Sequence, residues 1–126
     1  LSDKYIMWCS PLVSVFRESD YKSLGIVCKT ELQAKEMAEK LQKQIENIYF
    51  LSSQSSAFIN GTIVTSSHMA KGLEFDEVII PQTNKTNYCS EIDKSMLYVA
   101  VTRAMHQLTV TYSGEQSEFI RTATQH

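Results

Sequence analysis

At 126 residues, with 43% hydrophobic and 21% charged residues, the chain has the size and composition of one ordinary folded domain with its own core. A net charge of −2, from 12 basic and 14 acidic residues, excludes a domain that grips nucleic acid by charge alone, since such domains are strongly basic. No apolar run is long enough to span a bilayer and no signal peptide is present, so the expected setting is cytoplasmic, with no membrane partner; a chain opening on Leu1 and not Met reads as an excised fragment.

In chain order, Tyr5-Ile6-Met7-Trp8 reads as a short strand, with Pro11 as a breaker just beyond it. Leu24 to Lys29 is a buried-strand candidate. Thr30 then has the place of a helix N-cap, and Gln33 three residues later completes a capping-box pattern. The helix is expected from Glu31 to Ile45, with Leu32, Met37, Leu41 and Ile45 on its apolar face. Ile48 to Leu51 reads as a strand, Ser52 to Gly61 as a polar connection, and Thr62 to Thr65 as another strand. Ser67 to Phe75 is a loop and tight turn leading into Val78–Ile80, a central strand closed by Pro81. After a polar loop from Gln82 to Ser90, a second helix is expected from Glu91 to Met105, apolar on most sides and packed between layers. Leu108, Val110 and Tyr112 alternate with polar residues as a half-buried final strand, and Gly114 onward is a polar tail.

Strands alternating with helices point to an α/β fold with a mainly parallel sheet flanked by helices. Ligands of such sheets bind at the carboxyl ends of strands, which places interest on the loop after Thr65 and the end of Val78–Ile80.

Cys9, Cys28 and Cys89 are odd in number and far apart, and Cys28 lies in an apolar run where a buried free thiol is the expectation. No pair has metal-ligand spacing, and His68, His106 and His126 do not cluster with them, so no metal site is expected.

Three places carry chemistry. Lys29 sits at the end of a strand, where a cation can face a phosphate or simply be solvated. The run Ser67-His68-Met69-Ala70-Lys71-Gly72-Leu73-Glu74-Phe75 holds Gly72, which permits a conformation closed to other residues or a close approach. In the same run, Leu73 and Phe75 flank Glu74 as anchors, and its carboxylate suits a ribose hydroxyl or a bridging cation. Thr65, Ser66 and His68 are uncharged donors of the kind that contact a nucleic-acid backbone, while Lys71 is either a contact or plain surface charge. Arg103 stands in an otherwise apolar stretch whose other polar groups, from Met96 to Met105, are Tyr98 and Thr102. A guanidinium there needs an anion: a phosphate, or a carboxylate such as Glu74 or Asp76. No Gly-x-x-x-x-Gly-Lys-Ser/Thr phosphate loop occurs, so an arginine that reads phosphate implies a phosphate loop on another domain, and no ATP hydrolysis by this chain alone.

On these residues the chain resembles the second RecA-like motor domain of superfamily-one helicases of the UvrD/Rep type. Ser67 to Phe75 resembles the family's motif V, Leu97-Tyr-Val-Ala-Val-Thr-Arg-Ala104 resembles motif VI, and Gly25 to Leu41 is similar to motif IV and its helix. The resemblance covers Leu24 to Tyr112. It implies a RecA-like, P-loop NTPase-type fold lacking its own Walker A sequence, with residues 1–23 an N-terminal strand and linker, 24–112 the motor domain and 113–126 a tail. By the same resemblance Arg103 is the catalytic arginine reaching the ATP γ-phosphate. Glu74, Lys29, Gly72 and Tyr98 belong to the ATP-binding set, with Lys29 in place of an arginine that would bind bidentately. Thr65, Ser66, His68 and Lys71 belong to the single-stranded DNA set.

ATP and Mg²⁺ are then bound mainly by a first RecA-like domain of the same parent chain, and DNA is the second partner. About sixteen residues separate Ile45 from Thr62, too few for the accessory domain inserted in UvrD and Rep. The phrase Gly72-Leu-Glu-Phe-Asp-Glu-Val-Ile79, with Tyr88, Asp93 to Tyr98 and Thr102 to Leu108, is closer to the helicase IV or HelD-like branch, some of whose members act on RNA polymerase. The expected function is therefore the C-terminal motor domain of an ATP-dependent DNA helicase or translocase. The alternatives are an RNA polymerase-associated ATPase and a non-catalytic interaction domain.

Overall fold

A computed structural model describes residues 3–52 and 60–120. The expected polar connection falls largely on 53–59 and the end of the expected tail on 121–126, both outside the described residues. The elements run α1 (Asp3–Glu18), β1 (Ser23–Cys28), α2 (Glu31–Gln42), β2 (Ile48–Phe50), β3 (Gly61–Ser66), α3 (Ser67–Ala70), β4 (Phe75–Ile80), α4 (Glu91–Val101) and β5 (Ala104–Val110). The five strands form one sheet in the order β2-β3-β1-β4-β5, and every pairing is parallel. This is the α/β sheet expected from the alternation of elements. A core under α1 and α2 covers one face, with Leu24, Ile26, Val64 and Ile79 pointing into it. The other face carries Val27, Ile63, Phe75, Val78 and Ile80 beneath α4 and the C-terminal segment.

The first element corrects the expectation of a strand at Tyr5–Trp8. These residues open helix α1, and Tyr5, Ile6, Cys9, Val13 and Phe16 form a buried stripe at helical spacing. Pro11 lies inside the helix and removes the bond to the Met7 carbonyl, at a cost of about 3 kcal/mol in a helix interior. Met7 is on the solvent side, 69% exposed, so water can serve its carbonyl while the buried stripe holds the helix.

Helix α2 starts where expected. The Thr30 hydroxyl accepts from Gln33 N at 3.1 Å, but the Gln33 side chain turns away and donates to Asn87 Oδ1 at 2.9 Å, so the reciprocal half of the box is not made. Its buried face is Ala34, Met37, Ala38 and Leu41; Leu32 is exposed and Ile45 lies beyond the helix end at Gln42. Helix α4 ends at Val101 and not Met105, and β5 begins at Ala104 and not Leu108. The two are joined by Thr102 and Arg103 alone, with no glycine or proline to mark the break. Nor is α4 enclosed on most sides: Ile92 and Tyr98 are exposed. The segment after Val110 is not simply a tail either. Gln116 bridges to Asn84, Ser117 Oγ donates to Tyr88 O at 2.8 Å, and Ile120 is buried in the second core.

Candidate functional site

Strand β3 ends in α3, and the chain then crosses back to the start of β4 through Lys71–Glu74. Gly72 has φ +81°, and a Cβ built there would meet nothing within 4 Å. Its role is therefore the left-handed turn and not a close approach. The turn is fastened by Leu73 N donating to Ala70 O at 3.0 Å and by Phe75, which is fully buried. Phe75 lies flat on Gly25 of β1: a Cβ at Gly25 would come within 2.5 Å of Phe75 Cδ2. Between the two anchors, Glu74 is exposed.

Arg103 completes this corner. Its carbonyl accepts from Phe75 N at 2.9 Å, which ties the α4–β5 junction to the motif V turn. The guanidinium is half-buried. It donates from Nε to Val99 O at 3.1 Å, from Nη1 to Leu73 O at 3.4 Å and from Nη2 to Thr102 Oγ1 at 3.1 Å. Among the described residues it has no carboxylate partner. Asp76, one of the two carboxylates weighed for that role, instead accepts from the amides of Lys22 (2.7 Å) and Ser23 (3.2 Å). Tyr98 lies one turn before this junction, with its carbonyl accepting from Thr102 N, and is half-exposed.

This corner is at the amino ends of β4 and β5, since Phe75 pairs with Ala104 at the start of both strands. The expectation that the informative residues gather at carboxyl ends is thus half wrong. The return of α4 from the carboxyl to the amino end carries Arg103 with it, which a strand-end rule does not anticipate.

Lys29 is at the other end. It follows Cys28 at the carboxyl end of β1, and the structure does not bring it near Arg103 or Glu74. Its Nζ pairs with Asp93 Oδ1 at 2.9 Å and donates to Asn87 O at 2.8 Å. Asp93 is buried at the start of α4, where its other oxygen accepts from Cys89 N (3.0 Å) and Ser90 N (3.1 Å) in a complete capping box. Burial pushes the Asp93 carboxyl up, but the hydrogen bond from Lys29, the two amides and the lysine charge outweigh it and hold the group well below the usual carboxylate range. In this structure the Lys29 charge is matched inside the fold, away from the Arg103–Glu74 corner.

The expected nucleic-acid donors also divide. Thr65 is fully buried and donates to Leu51 O at 2.8 Å, holding the end of β2 against β3. Ser66 is 3% exposed and its hydroxyl accepts from Met69 N as the cap of α3. Both hydroxyls make hydrogen bonds inside the fold. His68 on α3 and Lys71 just after it are exposed.

Residues 12–115 match the family of the UvrD-like helicase C-terminal domain. The chain belongs to that family. It is 32% identical over 112 residues to F-box DNA helicase 1 of Gallus gallus, a match covering 76% of this chain and 11% of that protein. The UvrD-like domain thus spans about a tenth of the curated relative's length. Among solved structures it is similar to the C-terminal domain of a possible DNA helicase from Lactobacillus plantarum, at a TM-score of 0.83 and 25% identity, covering 98% of this chain and 76% of that one. It also shares its fold with the C-terminal domain of the DEAD-box protein Dbp5, at a TM-score of 0.61, 11% identity and 96% coverage of this chain against 76% of the other. The sheet is that of RecA-like helicase C-terminal domains.

Two structural supports of this UvrD-like site lie outside the motif residues. The Ser90-x-x-Asp93 pattern before an apolar run is a capping box legible in the sequence. The closeness of Gly25 to Phe75 has no local signal, because the two lie on neighbouring strands fifty residues apart in sequence. Among the described residues, no group of three His, Cys, Asp or Glu side chains could hold a metal ion, and no helix is long and apolar enough to cross a membrane.

Proposed function

We propose that this domain is the second motor domain of an ATP-dependent DNA helicase or translocase, facing ATP with the Arg103–Glu74 corner and the nucleic acid with the His68–Lys71 edge. The observation that carries the reading is the state of Arg103. A half-buried guanidinium with no carboxylate partner among the described residues, held only by two carbonyls and a hydroxyl, keeps its full charge for an incoming phosphate. Glu74, exposed two residues from the Gly72 turn, fits a ribose hydroxyl. ATP bound there supplies the free energy of phosphoryl transfer, and Mg²⁺ would be held by groups outside this donor set. The bond between Phe75 N and Arg103 O, with α3 directly preceding the turn, makes the nucleotide corner and the His68 edge parts of one packed unit.

DNA is favoured because the chicken relative is a DNA helicase and the bacterial domain comes from a possible one. RNA polymerase is not among the proposed partners. In the longer protein carrying this domain, Arg103→Ala should lower DNA-stimulated ATP turnover by about 10³–10⁵-fold, the range for an arginine that stabilises phosphoryl transfer. Nucleotide binding should stay largely intact. Unchanged turnover would remove Arg103 from the reaction and with it the central support for this function.

A further inference from the structure

Thr102 is the C-cap of α4, exposed and outside both buried cores. Its hydroxyl nevertheless sits in a closed ring of hydrogen bonds. Thr102 Oγ1 donates to Val99 O at 2.9 Å and accepts from Arg103 Nη2 at 3.1 Å, while Arg103 Nε donates to the same Val99 carbonyl at 3.1 Å. Because the hydroxyl proton is committed to Val99 O, an oxygen lone pair is left for the guanidinium. The bond from Nη1 to Leu73 O, at 3.4 Å, is the longest of the three that hold the group.

An arginine has five N–H donors, one on Nε and two on each terminal nitrogen. With three engaged, one N–H on Nη1 and one on Nη2 have no partner among the described residues. Such a pair is what a bidentate contact with a phosphate needs. The backbone of Arg103 is already fixed by Phe75 N donating to its carbonyl, so the side-chain torsions are what is left to set. A bond from Nε to a last-turn carbonyl is ordinary helix capping and needs no hydroxyl. The bond to Thr102 Oγ1 is different, since it bears on the orientation of the guanidinium itself.

We propose that Thr102 is a positioning residue for Arg103, a role that rests on Arg103 facing phosphate as proposed above. Its hydroxyl holds the long arginine side chain in one orientation before the nucleotide arrives, so that less freedom is lost when the cleft closes.

The test is DNA-stimulated ATP turnover by the longer protein carrying this domain. Thr102→Val keeps the side-chain shape and loses the hydroxyl. It should lower kcat about 10-fold, the worth of one hydrogen bond to a charged group, and leave KM for ATP within about 2-fold. Thr102→Ser retains the hydroxyl and should restore most of the loss. In an Arg103→Ala background, followed with enzyme in excess over ATP, Thr102→Val should have no further effect. If Arg103→Ala abolishes turnover and Thr102→Val leaves it unchanged, the role of Thr102 is overturned and that of Arg103 stands. If Arg103→Ala itself leaves turnover unchanged, the reading of the site fails and this role fails with it. An equal loss from Thr102→Val with and without Arg103, or the same loss from Thr102→Ser, would mean that Thr102 does not act through the guanidinium, and would also overturn the proposal.

Discussion

Replacing Lys29 by methionine separates a structural lysine from a phosphate-reading one. The change keeps most of the apolar stem and removes the ammonium from a contact of 2.9 Å with Asp93, in which the two side chains are only 21% and 9% exposed. Breaking a fully buried pair on one side costs roughly 3–5 kcal/mol, because the remaining charge is stranded. Here the remaining carboxylate still accepts from Cys89 N and Ser90 N. The lost bond to Asn87 O adds about 1 kcal/mol. A net loss of about 2–3 kcal/mol is therefore expected, or roughly 10 °C in melting temperature for a domain of this size.

The assay is urea unfolding at several pH values. The Asp93 carboxyl is depressed in the folded state, so its contribution is present at neutral pH and is lost as pH falls from about 4 downward. Lys29→Met should flatten that acid slope as well as lower the stability at pH 7. A variant within about 0.5 kcal/mol of the parent chain, the range of an ordinary surface change, would refute the structural role and return Lys29 to the candidate ligands.

Three further outcomes are expected. Gly25→Ala should cost about 1–3 kcal/mol in urea unfolding, as overpacking does, because the new methyl meets the Phe75 ring; Phe75→Leu in the same chain should recover part of it. Of the three thiols, the exposed Cys89 should react with a maleimide in the native chain. Cys9, pushed up to about 12 by burial, and Cys28, pushed higher by burial and then by Cys9, should react only on unfolding, as mass spectrometry of labelled protein would show. If the His68 edge meets a DNA backbone, Lys71→Ala in the longer protein should weaken binding uniformly across sequences and reduce the salt slope of log K by about 1; an unchanged slope would place Lys71 outside the contact.

Much of the fold can be read in the chain because it depends on neighbours in sequence. The strands β1, β3 and β4 are short apolar runs between polar segments, and Thr30 announces α2 through a bond to an amide three residues away. Where sequence and structure part, packing overrules a local rule. Pro11 signals a break, yet it lies on the solvent side of a helix whose other side is buried. Leu32 fits an apolar helical stripe, but the sheet is met by Ala34 and Ala38, whose small side chains let the helix approach closely. Helix α4 ends four residues before the limit its apolar run predicts, where Arg103 O and Ala104 pair with Phe75 of β4, and Thr102 and Arg103 carry no breaker to mark that junction.

The candidate site divides along the same line. Residue chemistry and spacing are enough to pick out the motif residues, the missing phosphate loop and the need of Arg103 for an anion, since none of these depends on how distant segments meet. Which of those residues share a corner is a matter of the folded chain. Strand direction and the return of α4 bring Arg103 to the motif V turn and Glu74, and leave Lys29 at the far end of the sheet beside Asp93. Burial, set by the whole sheet, also draws the hydroxyls of Thr65 and Ser66 into internal hydrogen bonds. Which polar groups remain available to a ligand depends on contacts between segments tens of residues apart, and no local pattern encodes those.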